Sequence, residues 1–326
     1  MNRLGRVTGV AVVAALLATV LFLSLPGPEL WRKVLQDAAH GPVFAVIAVV
    51  MALMARPSVP PGLRSPGQLA KAFALAVLFG AAAEIVQHFM PDRSMSLADL
   101  AHDAAGAAGG LGVLAAVERR GRGAMGRGGL AVALAMLVVL ARDPATCALA
   151  YARRAADFPV LARAASASNL YFLRGEQASV ARAALPEAYR RAGDAPAFKV
   201  DIRPGPASGL QVFEPAHDWR GYRAVAVDLT NPGVEPLPLV LRIVDATTDW
   251  ATWDRLNQVL TVPPRTRLTV RVPLDAVERA PRGRRMNLAA IADVMLFVPR
   301  PTQGRTFYVS RIWLETGGAA AGSVPL

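Results

Sequence analysis

The sequence predicts a bundle of about five membrane-spanning α-helices followed by an all-β sandwich. Long apolar runs fill the chain as far as Ala141, and no run of comparable length follows. The second half alternates apolar and polar residues over short stretches separated by Pro, Gly and Asn turns, which is typical of antiparallel strands. We therefore predict a membrane domain over residues 1–148, a soluble domain over residues 149–316 and a disordered tail over residues 317–326.

Five stretches are long and apolar enough to cross a bilayer, whose hydrocarbon core needs about 20 helical residues. They cover residues 7–25, 37–55, 69–89, 97–117 and 123–141. Backbone polar groups in lipid must bond internally, so each stretch is expected to be helical. The first could be a signal peptide, but Pro26 and Gly27 follow it in place of a small-residue cleavage site, which favours a retained helix.

Lys and Arg are distributed unevenly between the two sets of loops that these spans create. One set contains nine of them, at Arg3, Arg6, Arg56, Arg64, Lys71, Arg119, Arg120, Arg122 and Arg127. The other set contains three, at Arg32, Lys33 and Arg93. The positive-inside rule then predicts a multi-pass protein with a cytoplasmic N-terminus and, after five spans, an extracytoplasmic C-terminal domain. This placement also explains the net charge of +12 without nucleic acid, which we do not expect as a partner.

Polar side chains are concentrated at the ends of spans two, three and four on one side of the membrane. Ionisable groups are costly inside a bilayer, so their positions point to a site. The candidate residues are Asp37, His40, Glu84, Gln87, Arg93, Asp99 and Asp103. The short connection between spans three and four makes them antiparallel neighbours, and the predicted orientation gathers the cluster at the external membrane face.

Three interpretations of this cluster stay open. In the first, it binds or acts on a lipid-linked or envelope molecule, with Glu84 or His40 as acid or base and Arg93 as a clamp on phosphate or carboxylate. In the second, it binds a metal ion; Glu84 and His88 share a helix face, but a complete ligand motif is missing, so we predict no metal. In the third, Arg93, Asp99 and Glu84 form an ion-pair network that pins two helix ends.

The order of these residues resembles a known family. The pattern comprises Asp37 and His40, then Glu84, Gln87, Pro91, Arg93, Ser96, Asp99, Asp103, Gly106 and Gly109. Over about residues 36–117 it is similar to the VanZ-like family of small bacterial membrane proteins. Two positions depart from that family: Asp103, where Asn is usual, and Ala38, where Lys is usual. The resemblance implies a cell-envelope role in a bacterial cytoplasmic (inner) membrane, with the sandwich periplasmic, and supplies no reaction.

The soluble half shows a second resemblance. Residues 218–233, with residues 239–245, 254–257, 271–274 and 311–315, are similar to a galactose-binding-like jelly roll over about residues 157–315. Carbohydrate-binding modules of glycosidases use this sandwich, so the resemblance implies a jelly roll with a glycan ligand. Members often carry acidic residues where this chain has Ala164, Ala165 and Ser310, which argues against a structural calcium ion. We predict no cofactor.

One polar stretch combines flat aromatic faces with hydrogen-bonding side chains, as sugar binding requires. The candidate glycan-binding residues are Trp250, Trp253, Asp254, Arg255 and Asn257. Trp219, Tyr222 and Trp313 are expected in the hydrophobic core instead.

Three functional hypotheses follow, of which the last is a structural one in which the sandwich is a docking module for other envelope proteins. The first is a non-enzymatic envelope protein that displays a glycan-binding sandwich outside the cytoplasmic membrane, with membrane lipid and envelope glycan or a lipid-linked precursor as partners. The second is a membrane enzyme that acts on a lipid-linked envelope substrate through Glu84, Arg93 and Asp99.

Overall fold

The computed structural model of the chain describes residues 3–22, 25–27, 29–55, 63–90, 95–165, 167–216, 218–252 and 254–316. It forms two compact units, Met1–Ala148 and Leu149–Leu326. The proposed tail over residues 317–326 lies outside the described residues. Each unit is described separately below.

The first unit is helical. Its helices are α1 (Arg3–Phe22), α2 (Leu30–Met54), α3 (Pro66–His88), α4 (Leu97–Glu118) and α5 (Gly123–Asp157), the last of which continues into the second unit. All five are long and apolar enough to cross a membrane. The predicted fold class is therefore confirmed for this half.

Helix ends differ from the predicted spans. Helix α2 begins at Leu30 and not at Asp37, and α5 continues to Asp157 and not to Ala141. Hydropathy locates the apolar middle of a helix. Its ends depend on backbone hydrogen bonds, which polar residues form as readily as apolar ones, so a helix can extend beyond its apolar run. As a result, Asp37 and His40 lie inside α2 and not at its first turn.

Side-chain caps begin two of the helices. Ser65 accepts from the backbone N–H of Gln68 while the Gln68 side chain accepts from the backbone of Ser65, and Pro66 occupies the first turn of α3. Ser96 caps α4 by accepting from the backbone N–H of Asp99 at 3.2 Å. Both caps satisfy amide groups that would otherwise lack partners at a helix start.

Helices α2 and α4 touch through small residues. A Cβ added at Gly106 would overlap the carbonyl oxygen of Gly41, and one added at Gly110 would lie 2.6 Å from the carbonyl oxygen of Ala45. Both contacts advance by four residues in the same direction, so α2 and α4 run parallel. Small residues of this kind let helix backbones approach closely in membranes, where packing and not the hydrophobic effect drives association.

The second unit is a β-sandwich. In its described part the strands are β1 (Val160–Arg163), β2 (Leu173–Glu176), β3 (Ala178–Ala183), β4 (Ala197–Ile202), β5 (Ala207–Phe213), β6 (Ala224–Asn231), β7 (Leu237–Asp245), β8 (Leu256–Val262), β9 (Thr266–Pro273), β10 (Ile291–Pro299) and β11 (Arg305–Glu315). A short helix α6 (Leu274–Arg279) follows β9.

The strands form two antiparallel sheets. The first has the order β3-β4-β11-β6-β9, with β1 also paired to β11. The second has the order β2-β5-β10-β7-β8. Apart from β3-β4 and β7-β8, the neighbours in each sheet are not consecutive in sequence, as in a jelly roll, so the chain crosses repeatedly between the two layers. The predicted all-β jelly-roll sandwich is confirmed.

The core lies between the two sheets. Phe198 and Phe307 of the first sheet and Leu241 and Leu296 of the second are almost completely buried there. Trp219 is also buried, and its indole N–H donates to the carbonyl oxygens of Pro215 and Ala216 at 3.1 and 2.7 Å. Inward residues alternate with outward ones along each strand, so the same register defines the exposed face of each sheet.

Candidate functional site

A histidine and a carboxylate meet inside the helical unit. Nδ1 of His40 on α2 lies 3.0 Å from Oδ1 of Asp103 on α4, and the residues are 4% and 1% exposed. An ionised carboxylate only accepts hydrogen bonds, so the Nδ1–H group donates and Nε2 is left for another partner. The pair depends on the parallel packing of α2 and α4.

A glycine makes room for the buried carboxylate. A Cβ added at Gly80 on α3 would lie 2.6 Å from Oδ2 of Asp103. Within the described residues, that oxygen has no hydrogen-bond partner. The Asp103 side chain therefore lies between α2, where His40 hydrogen-bonds to it, and α3, where Gly80 has no side chain to displace it.

Glu84 and Gln87 connect helices. Oε2 of Glu84 accepts from the backbone N–H of Ser96 at 2.6 Å, which joins the end of α3 to the start of α4. The Gln87 side chain donates to the carbonyl oxygen of Val20 on α1 at 3.2 Å. Both side chains are buried. Glu84 thus supplies the hydrogen-bond partner of a backbone N–H at the start of α4, and Gln87 supplies that of a backbone carbonyl group on α1.

The predicted polar cluster is thus distributed over three places. His40 and Asp103 form a pair between helices, and the Glu84 carboxylate and the backbone N–H of Asp99 each bond to Ser96. Asp37 pairs with Lys33 at 3.2 Å on the surface of α2. Arg93 lies outside the described residues. In the part of the chain that the structure describes, no three His, Cys, Asp or Glu side chains converge as a metal site would require.

A groove opens beside His40. It has a volume of about 560 Å³ and runs between α1, α2 and α5. Its lining is Thr19, Val20, Leu25, Leu35, Gln36, Ala38, Ala39, His40, Pro42, Val43, Leu137, Leu140, Ala141 and Pro144. Sequence reasoning missed it because a groove depends on how far neighbouring helices diverge, for which the sequence carries no local signal.

A row of outward side chains crosses the second sheet of the sandwich. The register places one residue from each strand side by side: Arg174, Gln211, Met295, Arg242 and Asn257. The residues beside them in sequence, such as Leu210, Leu241 and Leu256, point into the core. We refer to this row and its outward neighbours Phe213, Asp293, Phe297 and Arg255 as the outer face.

Guanidinium groups cover aromatic rings on the outer face. The Arg242 guanidinium lies 4.6 Å from the ring centre of Phe297, and its Nε donates to the side-chain oxygen of Asn257 at 3.0 Å. The Arg174 guanidinium lies 4.7 Å from the ring centre of Phe213. The face therefore presents fixed hydrogen-bond donors above apolar rings.

The outer face also holds a buried carboxyl group. Asp293 is 8% exposed, and its burial raises its pKa to about 6, although the amide of Gln211 donates to it and Arg242 lies near. Near neutral pH this group is an anion with few protein donors. It can accept hydrogen bonds from a ligand's hydroxyl groups.

Three of the five predicted glycan residues lie at one rim of this face. Trp250 is 58% exposed, and the Arg255 guanidinium lies 4.8 Å from its ring centre. Arg255 and Asn257 alternate with the core residue Leu256 and so point to the outer face. Trp253 lies outside the described residues.

Asp254 has a different partner. Arg284 binds it and also binds Asp245, the latter through two hydrogen bonds of 2.6 and 2.9 Å. Burial would raise the pKa of Asp245, but the hydrogen bonds from Arg284, from the Asn287 amide and from Thr248 outweigh it and lower the pKa to about 2. This ion-pair network fastens the two ends of the loop that carries Trp250.

Sequence reasoning missed Gln211, Arg242 and Asp293. Each is a polar residue within a strand; Gln211 and Arg242 lie between two core residues, and Asp293 precedes the core residue Val294. The alternation of apolar and polar residues could have identified them as outward-facing, because polar residues in the middle of a predicted strand lie on its solvent face. Only the strand order, however, places the three next to one another.

Comparison with known proteins gives matches to solved structures alone. No protein-family model matches the chain, so the VanZ-like resemblance stays a prediction, and no curated protein matches it. A family 11 carbohydrate-binding module from Clostridium thermocellum, in complex with a β-1,3-1,4-mixed-linked tetrasaccharide, is 13% identical with a TM-score of 0.33, over 44% of this chain and 89% of that one.

Two further structures are similar to the same extent. A xylan-binding domain from carbohydrate-binding module family 22 is 12% identical with a TM-score of 0.31, over 46% of this chain and 90% of that one. An exo-β-agarase is 12% identical with a TM-score of 0.37, over 45% of this chain but 23% of the agarase. At these values the similarity says nothing about a ligand of this chain.

Proposed function

We propose that this chain is a cell-envelope membrane protein whose helical unit anchors a glycan-binding sandwich on the outer side of the cytoplasmic membrane. The observation that carries the proposal is the row Arg174, Gln211, Met295, Arg242 and Asn257 across all five strands of the second sheet. Arg174 and Gln211 on one side of the buried Met295, and Arg242 and Asn257 on the other, offer hydrogen-bonding groups along one line, which suits a linear polysaccharide.

The chemistry of the outer face supports a sugar ligand. Sugars combine hydroxyl groups with apolar C–H faces, and they bind where planar side chains lie beside hydrogen-bonding groups. Trp250 supplies an exposed ring at the rim, Arg242 and Asn257 supply donors, and Asp293 supplies an acceptor. The loop that carries Trp250 is held by Arg284, so the ring need not be ordered on binding.

Sidedness is supported by the Lys and Arg distribution between loops, which favours a cytoplasmic N-terminus and a periplasmic sandwich in a bacterial inner membrane. The partners that follow are membrane lipid, an envelope glycan and a lipid-linked glycan precursor. The Glu84 carboxylate accepts from the backbone N–H of Ser96, so we assign it a structural role and no reaction here. The enzyme hypothesis stays a prediction.

Binding of the full chain in lipid nanodiscs to immobilised polysaccharides tests the proposal. The probes are peptidoglycan, β-1,3-1,4-mixed-linked glucan and xylan. We expect at least one to bind, and Trp250→Ala, Arg174→Ala and Asn257→Ala to weaken that binding by about tenfold each, as loss of an interface contact of more than 1 kcal/mol does.

Arg271→Ala is the matched control for Arg174→Ala. Arg271 is an outward arginine of the other sheet, where it pairs with Glu315 at 2.9 Å. It should leave glycan binding unchanged. Absence of binding to every probe, or equal losses in Arg174→Ala and Arg271→Ala, would contradict the assignment of the outer face.

A further inference from the structure

The groove between α1, α2 and α5 has the size of a ligand site. Its volume of about 560 Å³ falls within the range of about 300–1,000 Å³ that small-molecule sites occupy. Leu35, Val43, Leu137 and Leu140 belong to its apolar lining. Because all three helices are candidate membrane spans, the molecule that reaches this groove comes from the lipid phase.

His40 is the buried polar group that lines the groove. Its Nδ1–H group is bonded to Asp103, and among the described residues Nε2 has no hydrogen-bond partner. Nε2 is not enclosed by protein, so in a lipid-filled groove it meets hydrocarbon and not water, and a polar atom without a partner is costly there. A ligand that bonds to Nε2 removes this cost.

The charges around the groove exclude an anionic head group. None of the described lining residues is Lys or Arg, whereas Asp103 lies directly behind His40. A phosphate or carboxylate would enter a buried site that holds a carboxylate and no fixed cation to pair with it. When the imidazole is neutral and Nδ1 carries the proton, Nε2 has a lone pair, and a ligand that bonds to it supplies the donor.

We propose that this groove binds an uncharged, hydroxyl-bearing membrane lipid, with its chain against α1, α2 and α5 and its hydroxyl group donating to Nε2 of His40. The inference is independent of glycan binding by the sandwich. It assigns His40 and Asp103 a joint role, in which Asp103 fixes the ring so that Nε2 faces the groove.

Photolabelling of the full chain in nanodiscs tests the proposal. The probe is a photoactivatable diacylglycerol, compared with its O-methyl ether and with phosphatidic acid carrying the same chains. We expect the hydroxyl probe to label peptides of α1, α2 or α5. The methyl ether, which lacks the donor, should label about fivefold less, the change that one lost hydrogen bond produces, and phosphatidic acid should label no better than the ether.

Two tryptophan variants separate the groove from the general lipid surface. Leu137 lines the groove and is 62% exposed, whereas Leu134, 56% exposed on the same helix, does not line it. Leu137→Trp should reduce labelling about as much as His40→Ala does, and Leu134→Trp should leave it unchanged. Because Leu137 lies on α5 and takes no part in the His40–Asp103 hydrogen bond, its variant is informative even if His40→Ala fails to fold.

Three results would contradict lipid binding in the groove. Equal labelling by the diacylglycerol and its ether, stronger labelling by phosphatidic acid, or equal effects of Leu134→Trp and Leu137→Trp would each overturn the proposal. Normal glycan binding by a variant that has lost lipid labelling would show that the two sites act separately.

Discussion

Gly106 of α4 lies so close to Gly41 of α2 that no side chain fits between the two helices. The same pair of helices carries Asp103 and His40, which hydrogen-bond one turn away. Gly106→Ala should therefore separate the helices and destabilise the membrane unit by about 1–3 kcal/mol, as overpacking of a tight core does. Thermal unfolding in detergent measures this. Gly128→Ala, at a glycine with no atom within 4 Å of an added Cβ, is the control and should not destabilise.

Glu84 is expected to act as a hydrogen-bond acceptor at a helix junction. Glu84→Gln keeps an acceptor for the Ser96 amide, so thermal stability should stay close to that of the wild type. Glu84→Ala leaves a backbone N–H without its partner and should destabilise by about 1–3 kcal/mol. Equal stability of the alanine variant would contradict this role. An envelope function lost in a stable Glu84→Gln variant would instead favour the enzyme hypothesis.

Asp293 should make the stability of the sandwich depend on pH. Its pKa is raised from an ordinary 3.8 to about 6 by burial, so the folded state binds more protons than the unfolded state between these values. The contribution of Asp293 to stability is then most favourable below about pH 4 and is lost as the pH rises to about 6. The penalty above pH 6 is about 3 kcal/mol, since each pKa unit corresponds to 1.36 kcal/mol.

Asp293→Asn isolates that effect. The asparagine side chain has the same size as aspartate and keeps an oxygen that accepts from Gln211, but it does not titrate. The variant should be more stable than the wild type at pH 7, with the difference falling towards zero below about pH 4. Denaturant unfolding followed by tryptophan fluorescence measures both. The prediction fails if the two proteins differ by the same amount at every pH.

Single-cysteine labelling tests the orientation that the loop charges predict. Cys147 is the sole cysteine of the sequence and is buried, so Cys147→Ser gives a clean background. In spheroplasts, an impermeant maleimide should label Asp275→Cys in the sandwich and should label Arg122→Cys only after lysis. Both residues are exposed in the structure. The opposite pattern would place the sandwich in the cytoplasm.

Much of the architecture is predictable from local pattern. Apolar runs identified five helices, and alternating apolar residues such as Leu239, Leu241 and Ile243 identified strands. Both patterns are visible in the sequence because the residues on a buried face are apolar. Helix ends were less accurate. Leu30 begins α2 in a polar stretch where hydropathy is low, and α6 was missed because six residues are too few for a periodic signal.

The candidate sites were predictable only in part. The sequence identified His40 and Asp103 as polar residues in spans, but their hydrogen bond depends on the register of α2 against α4, which no local pattern records. Likewise, Asp254 lies next to Arg255 in sequence, yet strand alternation turns them to opposite sides and Arg284 binds the first. Long-range pairing is what the sequence alone leaves undetermined.

Because the backbones of Gly41 and Gly106 are in contact, the neighbouring imidazole of His40 can be used to monitor the packing of α2 against α4 by magnetic resonance. The hydrogen bond between Nδ1 of His40 and Oδ1 of Asp103 joins α2 to α4, so the chemical shift of its proton is sensitive to the length of that bond. Isotope labelling of the histidines would then record, in a native bilayer, whether the two helices stay clamped when the groove fills.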